Sequence, residues 1–422
     1  MNYDFNTIGA LIGLGIAIVL IIRKMQPAYA LILGALVGGL LGSGANLSLT
    51  VNTMVSGAGS MMSSVLRIMT SGVLVGALIK TGAAEKIAET IVDKLGEKRA
   101  VAAIAISTMI ICAVGVFIDI SVITVAPIAL AIAKKANLSK LGILLAMIGG
   151  GKAGNIISPN PNTIAASEAF GVDLTGLMFK NVIPALVALI VAIYLASRLA
   201  EKKEYPVLDR DLSVQSDKNL PGFLQAILGP VLVIILLALR PLTGITIDPL
   251  IALPLGGLLT IIVTGNIKSL MSTLEFGLSK VVGVSVLLIG TGTIAGIIKA
   301  SALQYDVIHL METLNMPSFV LAPVAGILMA AATASTTAGA TVASQTFSAP
   351  LMTAGIPALS AAAMIHAGAT VLDSLPHGSF FHATGGSVGM EIKNRMKLIP
   401  YEAAVGITST LVSVILFLIN HN

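Results

Sequence analysis

Apolar stretches close to 20 residues long recur from one end of this chain to the other, as at 11–22 with its flanks, 100–117, 177–199, 222–239 and 402–419. That length matches the hydrocarbon core of a bilayer. Only 11% of the 422 residues are charged, and the mean hydropathy is +0.97. A soluble domain carries roughly 25% charged residues, so this chain cannot cover a water-facing surface of its size. The expected fold class is an all-α polytopic membrane protein, integral to the cell (cytoplasmic) membrane. A transmembrane barrel would show short alternating segments instead. The first segment lacks a basic n-region and a small-residue exit, and Arg23 and Lys24 follow it, so it is read as a span rather than a signal peptide. The single cysteine, Cys112, lies in an apolar run and leaves no basis for disulfides or thiolate metal sites; no metal or other cofactor is expected. Aromatic residues are 4% and Trp is absent, which leaves no stacking platform for nucleic acid.

The least membrane-like segment is 201–221, EKKEYPVLDRDLSVQSDKNLP, with nine charged residues near the midpoint of the chain. It divides the chain into two halves that share short motifs in the same order, the mark of an internal repeat. SGVLVGALIK at 71–80 resembles TGTIAGIIK at 291–299, each with a G-x-x-x-G spacing, at Gly72/Gly76 and Gly292/Gly296. The amphipathic AAEKIAETIVDKL after the former pairs with YDVIHLMETL after the latter. KAGNIISPNPN at 152–162 resembles HAGATVLDSLPHG at 366–378, and the Ile-Pro steps at 183–184 and 399–400 match as well. The shared order predicts a first repeat over 1–200, a linker at 201–221 and a second repeat over 222–422. Arg23 and Lys24, the cluster at 80–99, Lys134 with Lys135, and the basic residues at 198–203 mark one side, which the positive-inside rule assigns to the cytoplasm together with the linker. The cluster at 80–99 has no basic counterpart in the second half, which fits an inverted repeat, the architecture of many secondary transporters.

Inside this apolar chain, residues 151–167 read GKAGNIISPNPNTIAAS. Pro159 and Pro161 each remove a backbone donor and disfavour helix at the residue before. Irregular backbone at membrane depth survives only when buried in protein or facing a watery cavity. A helix starting near Thr163 would aim its positive end and free N–H groups at the kink, an anion cradle built with Lys152, Asn155, Ser158, Asn160, Asn162 and Thr163. An exterior N-P turn is the alternative. Two comparable breaks follow in the second half. TASTTAGATVAS at 333–344 gathers Thr333, Ser335, Thr336, Thr337 and Thr341 around Gly339, either a hydroxyl-lined tip or a small-residue packing face. LDSLPHGSFFHATGG at 372–386 carries Asp373, Pro376, His377 and His382 among glycines. Ionisable groups inside apolar segments are site candidates by default. Asp119, Asp373 and His377 are the proton-coupling candidates, with His377 preferred over His366 because Asp373 lies four positions earlier. Lys152 could meet a substrate carboxylate or pair with an aspartate. Arg67 and Arg240 are expected to snorkel to an interface.

The duplicated halves, SPNPNT, GATVASQTFSAPL and MIHAGATVLDSLPHGSFFHATGG resemble the gluconate permease (GntP-type) family, over nearly the whole chain. The resemblance implies a secondary symporter that imports a small hydroxylated organic anion by alternating access, usually with protons. It implies a scaffold domain, an elevator-type mobile domain with two re-entrant hairpins tipped at 158–163 and 333–339, and a possible homodimer. SPNPNT and DSLPHGSFFH resemble members associated with short hydroxy acids such as 3-hydroxybutyrate more than sugar-acid members. The Asn-Thr pair is similar to that of sodium-coupled carboxylate carriers, so Na⁺ stands beside H⁺ as a coupling ion. A cation/proton exchanger is a second transport reading. An intramembrane aspartyl protease using Asp119 and Asp373 is a remote enzymatic one.

Overall fold

The computed structural model describes residues 3–96, 99–202, 204–212, 219–243, 245, 247–303, 305, 306, 309, 313 and 317–421. Among them the first half forms α1 (Thr7–Ile22), α2 (Pro27–Gly42), α3 (Leu47–Ser60), α4 (Met62–Lys80), α5 (Ala83–Leu95), α6 (Ala100–Ala113), α7 (Ile118–Lys135), α8 (Lys140–Asn155), α9 (Pro161–Phe170), α10 (Leu174–Lys180) and α11 (Val182–Ala200). The second half forms α12 (Phe223–Thr243), α13 (Pro249–Val263), α14 (Leu270–Lys299), α15 (Leu321–Thr333), α16 (Thr336–Thr353), α17 (Ala358–Gly368), α18 (Ser379–Ser387), α19 (Ile392–Arg395) and α20 (Ile399–His421). Among the described residues, four helical segments are long and apolar enough to cross a membrane: Met62–Lys80, Val182–Ala200, Ile267–Lys299 and Ile392–Asn420. The amphipathic counterpart expected at 305–314 falls largely outside the described residues.

Lipid offers helices no hydrophobic reason to associate, so close backbone approach through small residues carries the packing. The two G-x-x-x-G motifs serve this on different neighbours. Gly72 and Gly76 of α4 lie against Gly277 of α14, while Gly292 and Gly296 lie against Gly57 of α3. A Cβ on Gly277 would stand 2.0 Å from the Gly72 carbonyl oxygen. Gly277→Leu is therefore expected to cost more than the roughly 1–3 kcal/mol of ordinary overpacking. A melting temperature in detergent equal to wild type would contradict this crossing.

Two helices are enclosed. All 16 residues of α8 are buried, as is α17 from Ser360 to Gly368. Each is followed by a non-helical break, at 156–160 and 369–378. α6 packs against α7, and α15 against α16, whereas α8 and α9 are not among the closely packed pairs. The turn of the first packed pair thus falls at 114–117, with Gly115 at φ 112°, rather than at 158–163.

The charged linker is not a free loop over its described part. Ser139 Oγ donates to the Glu204 carbonyl at 2.6 Å, Lys140 pairs with Asp211 at 2.8 Å, and Lys397 donates to the Tyr205 hydroxyl at 2.7 Å. The first two bonds fasten 204–211 to the start of α8, the helix that carries Lys152, and the third ties Tyr205 to the segment before α20.

Candidate solute-binding site

The 156–160 break is buried and hydrogen-bonded rather than solvated. Ser158 is 0% exposed and donates to the Cys112 carbonyl at 2.7 Å, and Pro159 lies beside Gly115, so the break abuts the α6–α7 turn. Asn160 caps α9, its Oδ1 accepting from the amides of Asn162 at 3.0 Å and Thr163 at 3.2 Å. Its Nδ2 donates to Asn155 Oδ1 at 2.6 Å, which also accepts from Asn162 Nδ2 at 3.0 Å. The helix starts at Pro161, two residues before the expected point. The amides expected to be free for an anion are therefore taken by Asn160, as an Asn N-cap does in most helices. What stays open are Asn155 Nδ2 and Asn162 Oδ1, both buried without a protein partner.

The second half repeats the arrangement. Ala334 turns left-handed at φ 46°, and Ser335 caps α16 by accepting from the Ala338 amide at 3.2 Å. His377, in the break after α17, has Nε2 3.3 Å from the Ala332 carbonyl oxygen, so this break also abuts the turn of a packed pair. Gly339 proves to be a packing residue, because its Cβ would stand 2.5 Å from Ala330 Cα of α15. Thr337 is half-buried at the start of α16.

The halves meet at Lys152. Its Nζ lies 2.7 Å from Asp373 Oδ1 and donates to the carbonyls of Thr370 at 2.5 Å and Glu402 at 3.3 Å. Asp373 Oδ2 accepts from Thr336 Oγ1 at 2.6 Å, and Oδ1 accepts from Ser374 Oγ at 2.9 Å. Lys152 and Asp373 are 2% and 1% exposed. One chain of bonds thus joins α8, the second break and the tip of α16. Lys152 and Asn155, three residues apart, share a face of α8, and α9 packs on α16, which brings the asparagine cluster alongside. Asp119 stands apart from these bonds, half-buried in the first turn of α7 with Lys280 as its charged neighbour. Both oxygens of Asp373 are occupied by Lys152, Ser374 and Thr336, which removes the Asp119–Asp373 dyad.

Two ionic clusters escaped the sequence reading. Arg67 does not snorkel: its guanidinium forks onto Asp248, Nε to Oδ1 at 2.9 Å and Nη2 to Oδ2 at 2.6 Å, while Nη1 bonds Glu168 of α9 and Ser63. An arginine inside a 19-residue apolar helix was the available signal. The side chain of Arg240 lies outside the described residues. Arg395 and Glu402 form a pair that is 1% exposed on both sides, signalled by an acid heading the last apolar run.

A family model for the GntP family permeases matches residues 5–421. The chain belongs to the GntP permease family. This permease is 55% identical, over 98% of both chains, to an uncharacterized transporter of Haemophilus influenzae. It is 24% identical to the Gnt-II system L-idonate transporter of Escherichia coli, over 79% of this chain and 82% of that one. Its fold is similar to the YdaH transporter of Alcanivorax borkumensis, with a TM-score of 0.69, 14% identity and coverage of 96% and 97%. The GntP-family permease is an integral membrane transporter and not an enzyme, which closes the protease alternative.

Proposed function

We propose that this permease is a secondary carrier that imports a small hydroxylated monocarboxylate with one proton, through the Lys152–Asp373–Thr336 junction. The observation that carries the reading is the buried Lys152–Asp373 pair joining α8 to the second backbone break. A solute carboxylate that takes Asp373's place on Lys152 would leave the aspartate as an unpaired buried charge, unless Asp373 accepts a proton at Oδ1 or Oδ2. The net charge of the site is then zero both when empty and when loaded. A proton alone would leave it at plus one, and an anion alone at minus one, and an uncompensated buried charge is costly. Coupling follows from charge balance. Asn155 Nδ2 and Asn162 Oδ1, buried without a protein partner in the asparagine cluster, are assigned to the solute hydroxyls. His377, beside the second break, is the candidate through which the proton reaches Asp373; Asp119 is assigned the equivalent place at the first tip.

The matching pairs of turn and break support inverted repeats, with α6–α7 and α15–α16 as re-entrant hairpins and α8 and α17 as broken helices. In this reading these elements move as one body against α1–α4 and α14, and the linker faces the cytoplasm. The relative named as an L-idonate transporter supports a hydroxylated acid as the solute class. The test is uptake of labelled L-idonate and D-gluconate into proteoliposomes. An inward proton gradient is expected to drive accumulation that an imposed membrane potential leaves unchanged, as an electroneutral one-to-one symport requires. Accumulation driven by potential or by sodium with no pH gradient would overturn the coupling scheme.

A further inference from the structure

A separate cavity of about 520 Å³ opens where the ends of α3 and α14 face α9 and α16. Small-molecule sites span about 300–1,000 Å³, so it has room for a six-carbon acid. Glu168 lies six residues beyond Asn162 on α9, and Thr346 ten residues beyond Thr336 on α16. At 1.5 Å per residue the cavity is about 9–15 Å along these helices from the Lys152 junction. It is a different place.

The lining carries a row of hydroxyls. Thr53, Ser56, Ser60 and Ser64 recur at spacings of three and four, which puts four hydroxyls on one face running from α3 into α4. Gln345 and Thr346 face them from α16. The hydroxyl of Thr346, in a residue 2% exposed, has no hydrogen-bond partner in the protein. Buried polar groups are nearly always partnered, and Thr346 sits in the cavity wall, where a solute group can supply the missing bond. Glu168, held on one oxygen by Arg67, and the exposed Lys299 add one charge of each sign. Hydroxyls, an amide, an acceptor carboxylate and a cation together match a solute that carries many hydroxyls and one carboxylate.

We propose that this cavity is a second solute site, which reads the hydroxyl groups of a polyhydroxylated monocarboxylate before it passes to Lys152. The solute class is taken from the carrier reading above, but binding here does not depend on turnover. Because the chain has no Trp, Met352→Trp at the cavity wall would supply a single indole reporter. D-gluconate and hexanoate are titrated against its emission in detergent, in a background that also carries Lys152→Met and Asp373→Leu, expected to stay folded but to be inactive in transport. A saturable response to gluconate is expected, with hexanoate at least tenfold weaker. Thr346→Val, which deletes one hydrogen-bonding partner at constant shape, should weaken gluconate about threefold to tenfold, and Thr346→Ser should restore it. No saturable response, an equal response to hexanoate, or a gluconate response untouched by Thr346→Val would each overturn the site. A positive titration beside failed uptake would sink the carrier scheme alone.

Discussion

Asp373→Asn is expected to abolish solute uptake into proteoliposomes, by at least a hundredfold, and to lower stability as well. The substitution leaves the Lys152 ammonium 2% exposed with only neutral partners. Removing one member of a buried ion pair costs about 3–5 kcal/mol, whereas replacing both with apolar groups is often neutral. That asymmetry separates structure from transport. The double variant Lys152→Met with Asp373→Leu should recover much of the melting temperature lost by Asp373→Asn, yet remain inactive, since it can neither hold an anion nor accept a proton. Uptake restored by the double variant would mean that the pair is only a structural tie, and the proposed coupling would fall with it.

The second large effect is expected at another buried ion pair, Arg395 with Glu402. Arg395 bonds Glu402, donates from Nη2 to Thr384 Oγ1 at 3.3 Å and stacks 4.8 Å over the Phe381 ring centroid. These contacts tie α18, α19 and the start of α20 together. Glu402→Gln removes the counter-charge from a guanidinium that is 1% exposed, again at a cost of about 3–5 kcal/mol. The Glu402 carbonyl also accepts from Lys152, so movement of this segment would be felt at the junction. Thermal unfolding in detergent should show a clear fall for Glu402→Gln and a smaller one for the double Arg395→Met, Glu402→Leu. Equal melting of wild type and Glu402→Gln would show that the pair adds nothing.

Much of the candidate site was legible in the sequence because membrane depth makes polar residues expensive. SPNPNT could not lie against lipid, and the structure buries it. Lys152 could be singled out from its apolar neighbours, with an aspartate named as one possible partner. Other features were legible only as residue types. The two asparagines around Pro161 suggested an anion cradle, yet Asn160 spends its oxygen on the very amides that cradle needed. The segment around Gly339 read equally as a hydroxyl tip or a packing face, and the structure makes Gly339 the point where α16 meets α15. Arg67 read as an interface residue because its partners, Glu168 and Asp248, are 101 and 181 positions away.

By itself, then, the sequence determined the solvent and the menu: long apolar helices in a bilayer, interrupted at a few places by groups that had to find partners inside the protein. Local rules suffice there, since hydropathy, proline and capping act within a few residues. Only the tertiary structure decided which partner each group found. The bond between Lys152 and Asp373 spans 221 positions, and nothing in the spacing of either residue encodes it. It exists because α8 and the break after α17 are buried side by side, where each charge has the other as its main relief from the low-dielectric interior.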